Sequence, residues 1–132
     1  MRWKQLENVP SEQAFKLRNG HEIKNMDQLY QHLEVMDEDV YKHHVNKRKN
    51  DFRKWVMHVL EDCHLAEKIG KSKNRQHMAN TVQKRVRKLT AEKQHHEKVD
   101  SHGIKWGIKE FGIGLVTGLF IGLVFLRALG RI

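Results

Sequence analysis

Residues 111–126, Phe-Gly-Ile-Gly-Leu-Val-Thr-Gly-Leu-Phe-Ile-Gly-Leu-Val-Phe-Leu, hold no ionisable side chain in a chain of which 31% is charged. The run is apolar all round, so a helix built from it has no face to turn toward water. The surroundings that suit it are lipid, a protein core or a monotopic hairpin; a single membrane-spanning helix is the expectation. Its sixteen residues, at ~1.5 Å each, cover roughly 24 Å of a hydrocarbon core of ~30 Å. Lys109 and Arg127 bracket it with long stems that reach the headgroups, and Trp106 stands where an interfacial aromatic belongs. With those flanks, Ile104 to Leu129 would cross a bilayer. Residues 103–129 are therefore expected to be a C-terminal transmembrane anchor, and 130–132 a short tail.

Charge sets the expected orientation. Residues 71–98 contain nine Lys or Arg (Lys71, Lys73, Arg75, Lys84, Arg85, Arg87, Lys88, Lys93 and Lys98) against Glu92 and Glu97. Beyond the apolar run stand only Arg127 and Arg131. Basic flanks stay inside, so the N-terminal part is expected to face the cytoplasm. The first ten residues have no apolar segment of the kind a signal peptide carries. The layout is that of a single-pass, tail-anchored membrane protein.

The water-facing part is large enough for one small domain. Cys63 is the single cysteine of the chain, which excludes an internal disulfide framework. Residues 1–70 contain twelve Lys or Arg and twelve Asp or Glu, which cancel, so the net charge of +9 is concentrated further along.

Within residues 1–70 the spacing predicts a β-hairpin followed by four helices. Ala14–Leu17 and His21–Lys24 flank Arg18-Asn19-Gly20, and Asn-Gly favours a turn with positive φ. Two strands this short are unstable alone and need helices to pack on. A first helix is expected from Asn25, with Gln28 as a capping partner and Met26, Leu29, Tyr30, Leu33 and Met36 on one face. Asp37 would cap a second helix, from Glu38 to about Val45, and Asn50 or Asp51 a third carrying Phe52, Trp55, Val56, Val59 and Leu60. A fourth would run from about Asp62 to Ile69 and stop at Gly70 as a C′ residue. Phe15, Tyr41, Phe52 and Trp55 are expected to meet in the core.

The order Phe15, Asn19-Gly20, Leu29, Leu33, Tyr41-Lys42-His43-His44-Val45, Asn50-Asp51-Phe52-Arg53-Lys54-Trp55 resembles a small helical domain family of unknown function found mainly in archaea and some bacteria. The likeness covers about residues 14–69, and its signature is Asn-Asp-Phe-x-x-Trp. It implies a helical fold and a prokaryotic type of domain, with no activity attached. His44, Asn50, Asp51, Phe52 and Trp55 match that signature and are expected to be structural.

Residues 71–102 read as a basic helical stalk after a hinge at Gly70–Asn74. Met78, Val82, Val86, Leu89 and Val99 form a stripe narrower than a coiled-coil seam, so the helix is expected to be solvated on most faces. Lys71, Lys73, Arg75, Lys84, Arg85, Arg87, Lys88 and Lys93 are its candidate contacts. Anionic lipid headgroups attract such residues by about 1 kcal/mol each near the surface. Nucleic-acid phosphates are the alternative, disfavoured because no aromatics are interleaved for base stacking. An acidic protein partner is a further possibility, and Lys47-Arg48-Lys49 with Arg53-Lys54 would extend the surface if they share its side.

Ten histidines invite a metal reading. Adjacent helical residues point about 100° apart, so His43-His44 and His95-His96 are poor joint ligands, and His58, Cys63 and His64 lack a recognised ligand pattern. No metal or cofactor is expected. Cys63 has no glycine-rich oxyanion loop beside it, so no catalytic residue is assigned and the chain is expected to be non-enzymatic. Gly114, Gly118 and Gly122 recur at every fourth position of the anchor. In lipid, small residues on one helix face let backbones approach, which predicts a homo-oligomer through this segment.

Overall fold

The structure, a computed structural model, describes residues 3–101. The chain divides into two compact units, Met1–Lys93 and Gln94–Ile132. The apolar run, with Gly114, Gly118 and Gly122, lies outside the described residues. Among the described residues no helix is long and apolar enough to cross a membrane.

The first unit is mainly helical with one two-stranded hairpin. Strands β1 (Phe15–Lys16) and β2 (Glu22–Ile23) pair antiparallel, with Phe15 opposite Ile23. Residues 17–21 connect them, with Leu17 and His21 bonded across a three-residue turn, 18–20. The Gly20 N–H donates to Leu17 O at 2.9 Å and the Leu17 N–H to His21 O at 2.8 Å, while Gly20 alone takes positive φ, at 89°. That is the form in which a turn is followed by a left-handed glycine, so only one of the two Asn-Gly residues needs the conformational freedom. Phe15, Leu17 and Ile23 are buried and seat the hairpin on the helices.

Helix α1 (Met26–Val35) starts at Asn25, whose side chain accepts the Gln28 N–H at 2.8 Å. Gln28 reaches back one residue further than a standard capping box, accepting the Lys24 N–H at 2.8 Å. Helix α2 (Glu38–His44) has Asp37 at its N-cap position, but the Asp37 side chain makes no capping bond. Its acids at the start and Lys42, His43 and His44 at the end suit the helix dipole instead. Helix α3 (Asp51–His58) is capped by Asn50, which accepts the Arg53 N–H at 3.0 Å.

The turn into α4 (Cys63–Gly70) is tight. The Leu60 N–H donates to Trp55 O at 3.3 Å and the Asp62 N–H to Val56 O at 3.1 Å, with Glu61 in the left-handed region at φ 57°. Asp62 then caps α4 through the Leu65 N–H at 3.0 Å. Gly70 is the last helical residue and not a C′ residue beyond the end. A Cβ there would stand 3.1 Å from Cδ of Arg53, so its smallness makes room for the Arg53 stem.

A larger expectation is also corrected. Residues 75–93 are no solvated stalk; they are the first unit's share of helix α5 (Arg75–Ser101) and close its core. Met78, Ala79 and Val82 are fully buried and Leu89 nearly so. A stripe too narrow to pair two equivalent helices is wide enough for one helix lying on a globular surface, where only one side is covered. The polar side is lashed down as well, by Gln83 Nε2 donating to the Tyr30 hydroxyl at 2.7 Å. Val99, counted with the stripe, is 59% exposed, so the buried face ends at Leu89.

The core is aromatic at its centre. Phe15 stacks on Phe52 with centroids 4.8 Å apart and meets Trp55 edge-on at 6.0 Å, and Tyr41 stacks on Phe52 at 6.4 Å. At roughly 1.5–3 kcal/mol per large buried apolar side chain, this group supplies a large part of the folding drive.

Candidate functional site

Two kinds of polar constellation stand out in the first unit: one in which the groups satisfy each other, and one in which four cations converge and only one of them has a counterion.

The first joins the hairpin to the helices. His44 is buried, and its Nε2 accepts the Arg18 N–H from the hairpin loop at 3.1 Å. That fixes the tautomer: Nδ1 carries the proton and faces Asp51 Oδ2 at 3.1 Å. Asp51 also receives Lys49 Nζ at 3.0 Å. Burial works against ionisation of Asp51, but the hydrogen bonds from Lys49 and His44 prevail and hold its pKa below the ordinary 3.8. Trp55 Nε1 donates to Gln13 O at 2.8 Å, just before β1. Asn50, besides capping α3, places Nδ2 3.5 Å from the carbonyl of Ile69 at the end of α4. His44, Asn50, Asp51, Phe52 and Trp55 thus work as the fastening between hairpin, α3 and α4. The hydrogen bonds described for His44, Asn50, Asp51 and Trp55 are all made within the fold.

The second constellation is a cleft of about 280 Å³ between α4 and α5, lined by His64, Leu65, Lys68, Thr81, Lys84, Arg85 and Lys88. On α5 the members recur at steps of three, one and three, so one helical face delivers them together. From α4 come His64 and, one turn on, Lys68. Asp62 aligns the two helices. It is 4% exposed, caps α4 through one oxygen, and binds Arg85 Nε through the other at 2.6 Å. A charge-assisted bond of this length to a nearly buried carboxylate holds the guanidinium in place. Thr81 turns its hydroxyl proton to His77 O at 2.8 Å, which leaves His64 and the four cationic side chains as the side-chain donors of the lining. Lys68, Lys84 and Lys88 are exposed and form no ion pair among the described residues.

The eight cations expected to act together are therefore sorted by the fold. Lys84, Arg85 and Lys88 meet at the cleft. Arg75 does not, because it is spent on structure: its Nε binds Glu38 Oε1 at 2.9 Å, and its Nη1 donates to the carbonyls of Leu33 and Glu34 at the C-terminus of α1. Lys71 pairs with Glu67 at 3.1 Å on the surface. Lys73 and Arg87 are exposed away from the cleft lining, and Lys93 is half-buried at the end of the unit.

Lys68 and His64 were missed by reading residues 1–70 as charge-balanced. The cue available was their i, i+4 spacing on the polar side of α4, although the side facing α5 is set only by packing. In the second basic cluster Lys49 is paired with Asp51, and Asn46 Oδ1 orders the turn by accepting the N–H groups of Arg48 and Lys49 at 2.9 and 3.2 Å. Lys47, Arg48 and Lys54 are exposed.

Among the described residues no group of three or more His, Cys, Asp or Glu side chains is placed to hold a metal ion. Comparison with protein-family models, with curated proteins and with solved structures finds no match for the chain. The likeness noted over residues 14–69 rests on the quoted residues alone.

Proposed function

We propose that this protein is a non-enzymatic binding module, anchored in a membrane by the apolar run at 111–126 and presenting the cationic α4/α5 face to anionic lipid headgroups. The observation that carries the reading is the convergence of Lys68, Lys84, Arg85 and Lys88 on one cleft whose lining includes no carboxylate, Arg85 alone of the four being paired, with Asp62. Self-repulsion of this kind is relieved by an anion. Tethering then keeps the lipid surface at high effective concentration, so weak contacts suffice. In this reading the helical unit faces the cytoplasm, and Gly114, Gly118 and Gly122 favour self-association of the anchor.

The test is amine acylation of the full chain in vesicles, read by mass spectrometry. Lys84 and Lys88 should be protected in phosphatidylserine vesicles, unprotected in phosphatidylcholine, and deprotected again by salt. Equal labelling in both lipids refutes the lipid contact. Protection by duplex DNA and not by lipid would assign the face to nucleic acid instead. Release of the full chain by carbonate washing would refute the anchor, and an unchanged cross-linking ladder in Gly118→Ile would refute the glycine face.

A further inference from the structure

We propose that the α4/α5 cleft is a discrete site for a phosphomonoester, a group with up to two negative charges and three acceptor oxygens. This rests on the cationic face proposed above and narrows its ligand from anionic surface in general to one chemical group.

Three features separate a site from a diffuse patch. The first is shape: the cations border a concavity of about 280 Å³. That size suits a phosphate with a small polar body and is below the range usual for drug-sized ligands, ~300–1,000 Å³. The second is preorganisation. Arg85 is fixed through Nε by a nearly buried Asp62, which itself is fixed as the cap of α4. The guanidinium is therefore held before any ligand arrives, and its other nitrogens lie outside that bond. The third is charge. Lys68, Lys84, Arg85 and Lys88 line one cleft and only Arg85 has a carboxylate partner, Asp62, so three lysine charges are left that a dianion offsets more fully than a monoanion.

Donor chemistry points the same way. Lysine ammonium groups are compact, rotatable donors, and Arg85 adds a planar fork at the side. Together they match several oxygens spread around one phosphorus better than the two coplanar oxygens of a carboxylate. Leu65 supplies an apolar patch to the lining. The same chemistry is offered by a lipid whose headgroup ends in a phosphomonoester and by a free sugar or polyol phosphate.

The experiment uses the full chain in phosphatidylcholine nanodiscs. In one arm glycerol 3-phosphate, with inorganic sulfate as control, is titrated by calorimetry. In the other, phosphatidic acid and phosphatidylserine are placed in the discs at matched net charge, and acylation of Lys68, Lys84 and Lys88 is measured. Wild type should bind glycerol 3-phosphate saturably, or be protected by phosphatidic acid beyond phosphatidylserine. The first result assigns a soluble source, the second a lipid, and either supports the cleft. In both arms Lys84→Gln with Lys88→Gln should weaken the effect at least about ten-fold, while Arg87→Gln, outside the lining, changes it less than about two-fold. All three side chains are exposed, so folding is preserved, and circular dichroism checks it. Absence of saturable binding together with equal protection by the two lipids overturns the phosphomonoester site, as does an Arg87→Gln loss equal to that of the double variant. If protection by phosphatidylserine survives in that case, the broader lipid reading stands without this site; if no lipid protects, both fall.

Discussion

The hairpin junction and the α4/α5 cleft are built from similar residues and reach opposite outcomes. At the junction, Arg18, His44, Asp51 and Lys49 form a chain of hydrogen bonds and ion pairs of 3.0–3.1 Å. At the cleft, Arg85 is paired with Asp62 while Lys68, Lys84 and Lys88 form no ion pair among the described residues. Satisfied polar groups inside a fold contribute to its uniqueness, whereas convergent like charges detract from stability and persist only where something else compensates. The contrast teaches that charge count alone does not distinguish a fastening from a binding face. The partner of each charge does.

The comparison breaks most readily at the core beneath the junction. Phe52→Ala should cost about 3–5 kcal/mol by urea denaturation, because Phe52 is fully buried and stacks on both Phe15 and Tyr41. A loss under about 1 kcal/mol would mean that the aromatic centre does not hold the hairpin.

Next comes Asp62, the carboxylate that holds Arg85. Asp62→Ala removes the α4 cap and leaves Arg85 without its partner, for an expected cost of about 2–4 kcal/mol. Asp62→Asn keeps a capping oxygen and should recover part of that loss in the same denaturation experiment. Equal costs for the two variants would show that the cap contributes nothing.

Acid should act in two steps. Burial, then the neighbouring His21, lower the His32 pKa below its ordinary 6.5, so the folded state keeps His32 neutral where the unfolded chain would protonate. Stability from this group is complete above pH 6.5 and declines as pH falls through that value. Asp51, with its pKa held below 3.8, contributes stability that is present above that pH and lost as pH falls beneath it. Thermal melts across the acid range should show a shallow decline and then a further one; His32→Gln should flatten the former and Asp51→Asn the latter.

The smallest effect on folding belongs to the cleft lysines. Lys84→Gln and Lys88→Gln should each shift stability by no more than about 0.5 kcal/mol, with a rise as acceptable as a fall. A cost above about 1.5 kcal/mol would mean that these side chains are structural after all and would erase the distinction between the two regions.

Much of the architecture was legible along the chain because it is local. Asn25, Asn50 and Asp62 cap helices from within three residues, and Gly20 sits at the hairpin loop where its conformation is needed. The aromatic group was legible because Phe15, Tyr41, Phe52 and Trp55 are each the large apolar member of their element. The extent of the domain was not. Met78, Val82 and Leu89 read as a weak stripe, and the stripe gains meaning only beside the surface it covers.

The sequence by itself determined the hairpin, the first four helices and their apolar faces, and the Asn25 and Asn50 caps, since these follow from interactions across a few residues; the expected Asp37 cap and the Gly70 stop did not form as read. It also determined that positive charge gathers in residues 71–98. Only the tertiary structure decided which of those charges are used up. Arg75 is bound to carbonyls at positions 33 and 34, and Arg85 to Asp62, while Lys84 and Lys88 are joined at one cleft by Lys68. The reason is physical: electrostatic pairing depends on distance through space, and packing α5 onto the domain sets those distances for residues far apart along the chain.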